Sequence, residues 1–278
     1  MKKINIISKV TLALIIGFTS VVTYAADPEK QEIRLGKGRG PSADVFIAGI
    51  KPILEKQGYK ITTVVLGDLH LTDVAINDGE IDINVEQHGA YVNYFNKNQG
   101  ADLYGITAIP TIYAAIYPGA KNDLKDVEEG DHFAIPNDSS NTARCLAIVQ
   151  KAGLIKFDPS KDFEGLTTND IIENPKNLKF TELASATIPP AASDFDYIVL
   201  TGPYAYDAKI DPKSALLRED LKPHLLLQAV VKEGNKDKQW AQDVVKAYRS
   251  PEFKEFFLSN YNNGYWYYPE KEYSEQAK

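Results

Sequence analysis

The stretch FAIPNDSSNTARCLAIVQKAGLI, residues 133–155, carries the pattern that decides the fold. A short apolar run at 133–135 predicts a buried strand, and the polar segment after it predicts a turn. Residues 142–152 then show the amphipathic pattern of a helix that Gly153 ends. Strand, turn and helix in this order form a βα unit, which is the building block of sheets with helices on both faces.

Arg144 is placed in the first turn of this predicted helix. A helix N-terminus has unpaired N–H groups and a partial positive charge, so a basic residue is unfavourable there unless an anion offsets it. The planar guanidinium can donate two parallel hydrogen bonds to a carboxylate or a phosphate. Arg144 is therefore a candidate anion receptor, and the alternative is a surface arginine paired with Asp138.

The first 25 residues have the organisation of a secretory signal peptide. Lys2 and Lys3 precede an apolar run at 10–22, and Ala25 and Ala26 supply a cleavage site. The run is about 13 residues long, whereas a membrane-spanning helix needs about 20. We therefore expect a cleaved, periplasmic protein without a lipid anchor, since no cysteine lies near the cleavage site. An uncleaved N-terminal anchor is the alternative.

Charge and cysteine content narrow the class of protein. The net charge is −7, and cleavage after residue 25 would bring it to −10 by removing Lys2, Lys3 and Lys9. A nucleic-acid partner would favour a basic face, so none is expected. The single cysteine, Cys145, excludes an internal disulfide and is predicted to be a buried, inert thiol.

Strand and helix patterns alternate along the rest of the chain, which predicts an α/β fold with mixed, mostly parallel sheets flanked by helices. Two extended apolar stretches, 110–118 and 224–231, are placed to carry the chain to a second lobe and back. The predicted organisation is a signal peptide at 1–25, a first lobe at 27–111 and 227–270, a second lobe at 112–226, and a flexible tail at 271–278.

Individual elements are also predicted. A helix is expected over 42–57, where Pro52 should kink or interrupt it. A strand is expected at 81–85 after Gly79, and a short helix at 168–173.

Four segments carry a resemblance to a known family: IPNDSSNTAR and AGLI within 135–155, DIIENPKNLK at 170–179, NDGEIDINVEQHGAYVNYFNK at 77–97, and GADL at 100–103. They resemble the NlpA/MetQ family, the substrate-binding proteins of methionine importers of the ATP-binding-cassette (ABC) type. The resemblance extends from about residue 32 to 269. It implies a periplasmic-binding-protein (Venus-flytrap) fold, in which two α/β lobes close on one amino acid and deliver it to an inner-membrane permease.

The resemblance also implies a set of ligand-binding residues. Arg144 matches the family arginine that grips the ligand carboxylate. His88 and Tyr91 match a Gln-His-x-Pro-Tyr motif that here is QHGAY, and Asn141 matches a loop asparagine. Tyr113 is expected to join His88 and Tyr91 around the ligand side chain.

Three positions depart from the family pattern. Glu86 stands where the family has an aromatic residue, Leu69 where it has a tyrosine, and Thr201 where an asparagine orients the amino acid. A buried carboxylate costs several kcal/mol without a positive partner or a raised pKa. We therefore expect Glu86 to meet an ammonium or another polar group of the ligand; the alternative is that it turns to solvent or pairs with a lysine. The predicted ligand is L-methionine or a related amino acid or short peptide.

A metal-binding importer component and a small hydrolase are the alternative functions. A metal-binding importer component would need converging ligands, and the four histidines show no short spacing: His70, His88, His132 and His224. A small hydrolase would need a nucleophile and a base, for which Ser139, Ser140, His88 and Asp138 are the candidates, but no G-x-S-x-G motif is present. We expect a monomer that is not an enzyme and needs no cofactor.

The segment YNNGYWYY at 261–268 is rich in aromatic residues. Such a segment packs between lobes or forms a docking surface, since tyrosine and tryptophan favour interfaces. The sequence leaves both interpretations open.

Overall fold

The computed structural model describes residues 25–38, 40–67, 69–161 and 165–275. The predicted signal peptide, except Ala25, and the last three residues of the predicted tail lie outside these ranges. No helix within them combines the length and the apolar character that crossing a membrane requires.

The strands of the described residues form five sheets, with helices packed on them. The strands are β1 (Glu32–Lys37), β2 (Lys60–Val65), β3 (Asn84–His88), β4 (Leu103–Ala108), β5 (Thr111–Ile112), β6 (Ala115–Pro118), β7 (His132–Pro136), β8 (Lys156–Phe157), β9 (Ile171–Glu173), β10 (Lys179–Leu183), β11 (Tyr197–Leu200), β12 (Leu217–Arg218), β13 (Leu227–Lys232) and β14 (Trp266–Tyr267). The α-helices are α1 (Pro41–Val45), α2 (Lys51–Lys56), α3 (Leu69–Asn77), α4 (Gly89–Gln99), α5 (Ser139–Lys151), α6 (Gly202–Asp207), α7 (Gln239–Tyr248), α8 (Pro251–Tyr261) and α9 (Glu270–Glu275).

The first lobe is built on β1, β2, β3, β4 and β13. β1 and β2 are parallel, whereas β13 lies antiparallel between β3 and β4. A backbone bridge between Leu35 and Ile83 joins the two parts. Both ends of the described chain contribute to the core of this lobe, in which Phe46 from the N-terminal part is buried in the same cluster as Trp240 and Tyr248 from α7.

The second lobe is built on a sheet of order β10-β7-β11-β6-β12. β7 is parallel to both of its neighbours, and β6 is antiparallel to both of its own. Side chains alternate between the two faces of a strand, so Phe133 and Tyr197 enter one core while Ala134 and Ile198 enter another. The predicted two-lobed α/β fold with mixed sheets is confirmed, but the sheets are not mostly parallel, because β6 and β13 each pair antiparallel with both of their neighbours.

The chain crosses between the lobes twice, from β4 to β6 and from β12 to β13. Both crossings include parts of the extended stretches from which the lobes were predicted. At the first crossing β5 pairs with β14, which places Trp266 opposite Ile112 and Tyr267 opposite Thr111. The aromatic segment therefore pairs with the part of the chain that connects the first lobe to the second.

The interruption predicted at Pro52 is present. A π-helical turn at Phe46–Ile50 separates α1 from α2, and the Lys51 N–H bonds to the Phe46 carbonyl five residues earlier. Proline lacks the N–H that a continuous helix needs, so the wider turn just before it accommodates the break.

Three other element predictions need correction. The strand predicted at 81–85 is β3, displaced toward the C-terminus because its pairing with β13 sets His88 opposite Leu227. At 168–173 only Thr168–Asp170 form a helical turn; the β-branched pair that follows belongs to β9, which pairs with β8. Of the tail predicted to be flexible, the described residues 271–275 belong to α9, from which Tyr273 packs against the core of the first lobe.

Candidate functional site

A cavity of about 620 Å³ lies between the two lobes. This volume is within the usual range of small-molecule sites, about 300–1,000 Å³. Six of the residues predicted from sequence line it: Leu69, Glu86, His88, Asn141, Arg144 and Thr201. Both lobes contribute to this set, so a ligand held here would contact both.

Arg144 lies at this cavity with its side chain only 3% exposed and forms a two-pronged ion pair with Glu219. Its Nε donates to Glu219 Oε2 at 2.8 Å and its Nη2 donates to Glu219 Oε1 at 2.5 Å. The backbone N–H of Ala114 also donates to Glu219 Oε1, at 2.6 Å. Burial alone lowers the pKa of Arg144, but the charge and hydrogen bonds of Glu219 outweigh it and raise that pKa. The guanidinium at this cavity is therefore charged.

The position of Arg144 in its helix corrects the sequence argument. α5 begins at Ser139 rather than at residue 142, which puts Arg144 in the second turn. The field of a helix terminus falls off within the first turn, so the terminus itself is not the receptor. Helical side chains point back toward the N-terminus, and this direction brings the guanidinium to the cavity. The alternative of a surface arginine paired with Asp138 is also wrong, because Arg144 is buried against Glu219.

Asp138 has a different task, since it caps α5. Its Oδ1 accepts from the backbone N–H of Asn141 at 3.1 Å and from Asn141 Nδ2 at 2.9 Å. Burial raises the pKa of Asp138, although these donors oppose the shift. The cap fixes the amide of Asn141 at the wall of the cavity.

His88 is neutral and oriented by its own hydrogen bonds. It caps α4, with Nδ1 accepting from the backbone N–H of Tyr91 at 3.2 Å. Burial lowers the pKa of His88 to about 3, and the nearby charge of Arg144 adds to that shift. A neutral ring that accepts at Nδ1 carries its proton on Nε2, which lies 3.4 Å from Asn141 Oδ1 in the other lobe.

Glu86 is half-buried at the cavity, held by a glycine-containing turn. Its Oε2 accepts from the backbone N–H of Gly38 at 2.8 Å and its Oε1 from that of Gly40 at 3.1 Å. Burial raises the pKa of Glu86 to about 7, although the Gly38 hydrogen bond opposes the shift. The expected alternatives, turning to solvent or pairing with a lysine, do not describe this arrangement.

Hydroxyl groups supply further polar lining. Thr201 is 3% exposed at the start of α6, and its side chain does not cap that helix. Ser42 and Ser185 are also buried and line the cavity. These two serines, and Glu219 behind Arg144, were missed by sequence reasoning because no local pattern marks them.

Tyr91 and Tyr113, which were expected around the ligand side chain, are not part of the cavity lining. The Tyr91 ring packs against the buried first-lobe cluster that includes Phe95 and lies edge-on to the His88 ring at 6.3 Å between centroids, and its backbone N–H donates to His88. The Tyr113 ring lies near Tyr267, with the Arg218 guanidinium 5.5 Å from its centroid. Both tyrosines are close in sequence to residues of the site, but their rings point away from the cavity.

The metal and hydrolase alternatives find no support in the described ranges. No three histidine, cysteine, aspartate or glutamate side chains in them converge as ligands. The His88 ring bonds to Tyr91 and Asn141 rather than to a serine whose side chain the structure describes. Cys145 is buried, and burial raises its pKa well above the ordinary value in spite of Arg144, which fits an inert thiol.

Comparison with known proteins identifies the family. The family model for the NlpA lipoproteins matches residues 33–267, so the chain belongs to that family and the resemblance found in the sequence is confirmed. The D-methionine-binding lipoprotein MetQ of Salmonella typhimurium is 32% identical over 243 residues, which cover 86% of this chain and 89% of that protein.

Solved structures agree with this assignment. A nutrient-binding protein from Burkholderia cenocepacia, bound to methionine, is 31% identical with a TM-score of 0.79, covering 85% of this chain and 99% of that one. A periplasmic substrate-binding protein of an ABC transporter from Coxiella burnetii is 26% identical with a TM-score of 0.76, covering 84% of this chain and 98% of that one. All three relatives are named as binding proteins.

Proposed function

We propose that this member of the NlpA lipoprotein family is the solute-binding component of an ABC importer. It captures methionine or a related amino acid or short peptide in the interlobe cavity and delivers it to an inner-membrane permease, without catalysing a reaction. The observation that carries the proposal is the charged guanidinium of Arg144, buried at a cavity to which both lobes contribute. The names of the relatives, which specify methionine binding and an ABC transporter, support the ligand class and the partner.

In this proposal Arg144 holds the ligand carboxylate. A guanidinium has five N–H donors, and Glu219 accepts from two of them along one edge. The donors that remain can serve a ligand. Because Glu219 fixes the plane of the group, little conformational entropy is lost when a carboxylate binds to it.

The ligand amino group is assigned to Thr201 or Glu86, and the neutral His88 and Leu69 contact the side chain. Asn141 is held by Asp138 and stands opposite His88. His88 belongs to the first lobe and Asn141 to the second, so this contact forms only when the lobes are close together. A ligand that bridges the lobes stabilises that closed population, which is the form the permease would recognise.

The lobe boundaries and cellular location belong to the same proposal. The first lobe comprises 27–111 and 227–270, and the second comprises 112–226. Residues 1–25 direct export to the periplasm and are removed, and the protein acts as a monomer. The crossings between the sheets support these bounds.

Calorimetric titration tests the proposal. Wild-type protein is expected to bind L- or D-methionine, or another amino acid or short peptide of a panel, with one ligand per chain. The double variant Arg144→Met/Glu219→Gln removes both buried charges and keeps an acceptor for the Ala114 N–H, so it avoids an unpaired buried charge. It should fold and lose binding.

Lys156→Ala is the control, because Lys156 follows the same helix and is paired with Glu173 at the surface. This variant should bind as the wild type does. A folded double variant with unchanged affinity would refute the role of Arg144. The absence of binding by every member of the panel would refute the function.

A further inference from the structure

Glu86 is the acidic side chain that β3 contributes to the wall of the cavity. Side chains alternate along β3, so Glu86 and His88 share the face that lines the cavity while Gln87 points to the opposite side. Asp73 from α3 is fully buried and lies close enough to both Gln87 and Glu86 to interact with them electrostatically. Of these two carboxyl groups, only that of Glu86 lines the cavity.

The described surroundings of Glu86 fill only some of the hydrogen-bond acceptor positions of its carboxylate. A carboxylate offers about four acceptor positions, and the N–H groups of Gly38 and Gly40 occupy two. Lys37, the described cation of this turn, is in an ion pair with Asp44. No ion pair among the described residues includes Glu86; Arg39, between the two glycines, lies outside the described ranges.

The other charges of the cavity are matched by partners. Arg144 is neutralised by Glu219, and Asp138 faces the N–H groups at the start of α5. His88 is uncharged because burial lowers its pKa to about 3. Glu86, in contrast, forms no ion pair with a described cation; the charge of Lys37 lowers its pKa but does not overcome the effect of burial. A zwitterionic ligand contributes no net charge, so it would leave the carboxylate of Glu86 without an ion-pair partner.

We propose that the ligand carries a second cationic nitrogen, on its side chain, which binds the carboxylate of Glu86. The ligand class is then a basic amino acid such as lysine or ornithine rather than a thioether. This inference depends on the proposed function, because Arg144 must hold the α-carboxylate for the side chain to reach the opposite lobe. With such a ligand, Arg144, Glu219, Glu86 and the ligand together have no net charge.

L-Lysine and L-norleucine are the ligand pair that isolates this contact, since they differ in the terminal ammonium group. Calorimetric titration of the wild type is expected to give about tenfold or greater preference for lysine, as a charged hydrogen bond in a closed site provides. Glu86→Gln has nearly the same shape without the charge and should reduce that preference to about threefold or less. Glu80→Gln, at an exposed position, is the control and should keep it.

Each other outcome has a distinct meaning. If norleucine and methionine bind the wild type as tightly as lysine does, and Glu86→Gln weakens all three equally, Glu86 holds the α-amino group and the inference is overturned. If methionine alone binds and its binding depends on Arg144, the inference is also overturned, but the proposed function survives. If Arg39→Gln creates the lysine preference that the wild type lacks, the turn supplies its own counter-ion and the inference again fails. If no amino acid binds, the proposed function fails first.

Discussion

Replacing Asp73 by asparagine is expected to stabilise the protein at neutral pH. Asp73 is fully buried, and neither of its carboxyl oxygens has a hydrogen-bond partner among the described residues. Burial raises its pKa from 3.8 to about 8, and the charge of Glu86 adds to the shift, whereas Gln87 opposes it. In the folded state the group therefore keeps its proton at pH values where the unfolded chain has lost it.

The direction of the pH effect follows from proton counting. Between pH 3.8 and about 8 the folded protein binds more protons at Asp73 than the unfolded chain does, so the free energy of unfolding falls as the pH rises through this range. One pKa unit corresponds to about 1.4 kcal/mol, which makes the cost of Asp73 about 4 kcal/mol at pH 7. Asparagine avoids that cost but must itself be desolvated.

The immediate surroundings can accept the amide. Gln87 Nε2, Gln87 Oε1 and Asn84 Nδ2 are buried without partners among the described residues, and they offer both donors and an acceptor. Allowing for desolvation and small shifts of these side chains, we expect Asp73→Asn to raise the free energy of unfolding at pH 7 by about 2 kcal/mol or more.

Urea unfolding at pH 5.5, 7.0 and 8.5, followed by tryptophan fluorescence, measures this effect. The difference between Asp73→Asn and the wild type should grow with pH. Asp78→Asn, an exposed change just after the same helix, should give a small difference that does not grow. A destabilised Asp73→Asn at pH 7, or a difference independent of pH, would refute the reasoning.

Three further changes test other parts of the structure. Arg144→Ala strands the buried carboxylate of Glu219 and should cost about 3–5 kcal/mol in urea unfolding, considerably more than the double variant Arg144→Met/Glu219→Gln; equal costs would contradict a buried ion pair. Cys145 should resist a thiol reagent in the native protein and react once the chain is unfolded, so rapid native labelling would show that the thiol is accessible. Trp266→Ala should lower the free energy of unfolding by about 2 kcal/mol, because its ring contacts Phe257 in the first lobe and Tyr206 in the second, and a neutral result would show that these contacts contribute little.

Local pattern was sufficient for the elements of the second lobe nearest the site. The apolar run, polar turn and amphipathic helix of 133–155 appear as β7 and α5. The start of α5 was placed three residues late because Asp138 is the residue that caps it. Because of this difference, Arg144 lies nearly one turn further along the helix than predicted, so the helix terminus is not part of its anion site.

Long-range contacts account for what the sequence left out. Glu219 is 75 residues from Arg144, and a two-residue strand, β12, is what brings it to the site. The pairing of β3 with β13 decides which residues of β3 face the cavity, and no local periodicity contains that information. The aromatic segment was ambiguous for the same reason, because its rings contact elements of both lobes. These contacts favour packing between the lobes as its role.

The pairing of Arg144 with Glu219 holds a buried guanidinium in a geometry that can accept a ligand carboxylate. An arginine buried without a partner would cost several kcal/mol, and the first anion available would bind to it. Glu219 removes that penalty along one edge of the guanidinium and is itself held by the Ala114 N–H at the crossing between the lobes. When a ligand carboxylate arrives at the other edge, one arginine is shared by two carboxylates, so the closed site needs positive charge from the ligand itself. An α-ammonium supplies one unit, and the carboxylate of Glu86 leaves a place for a second.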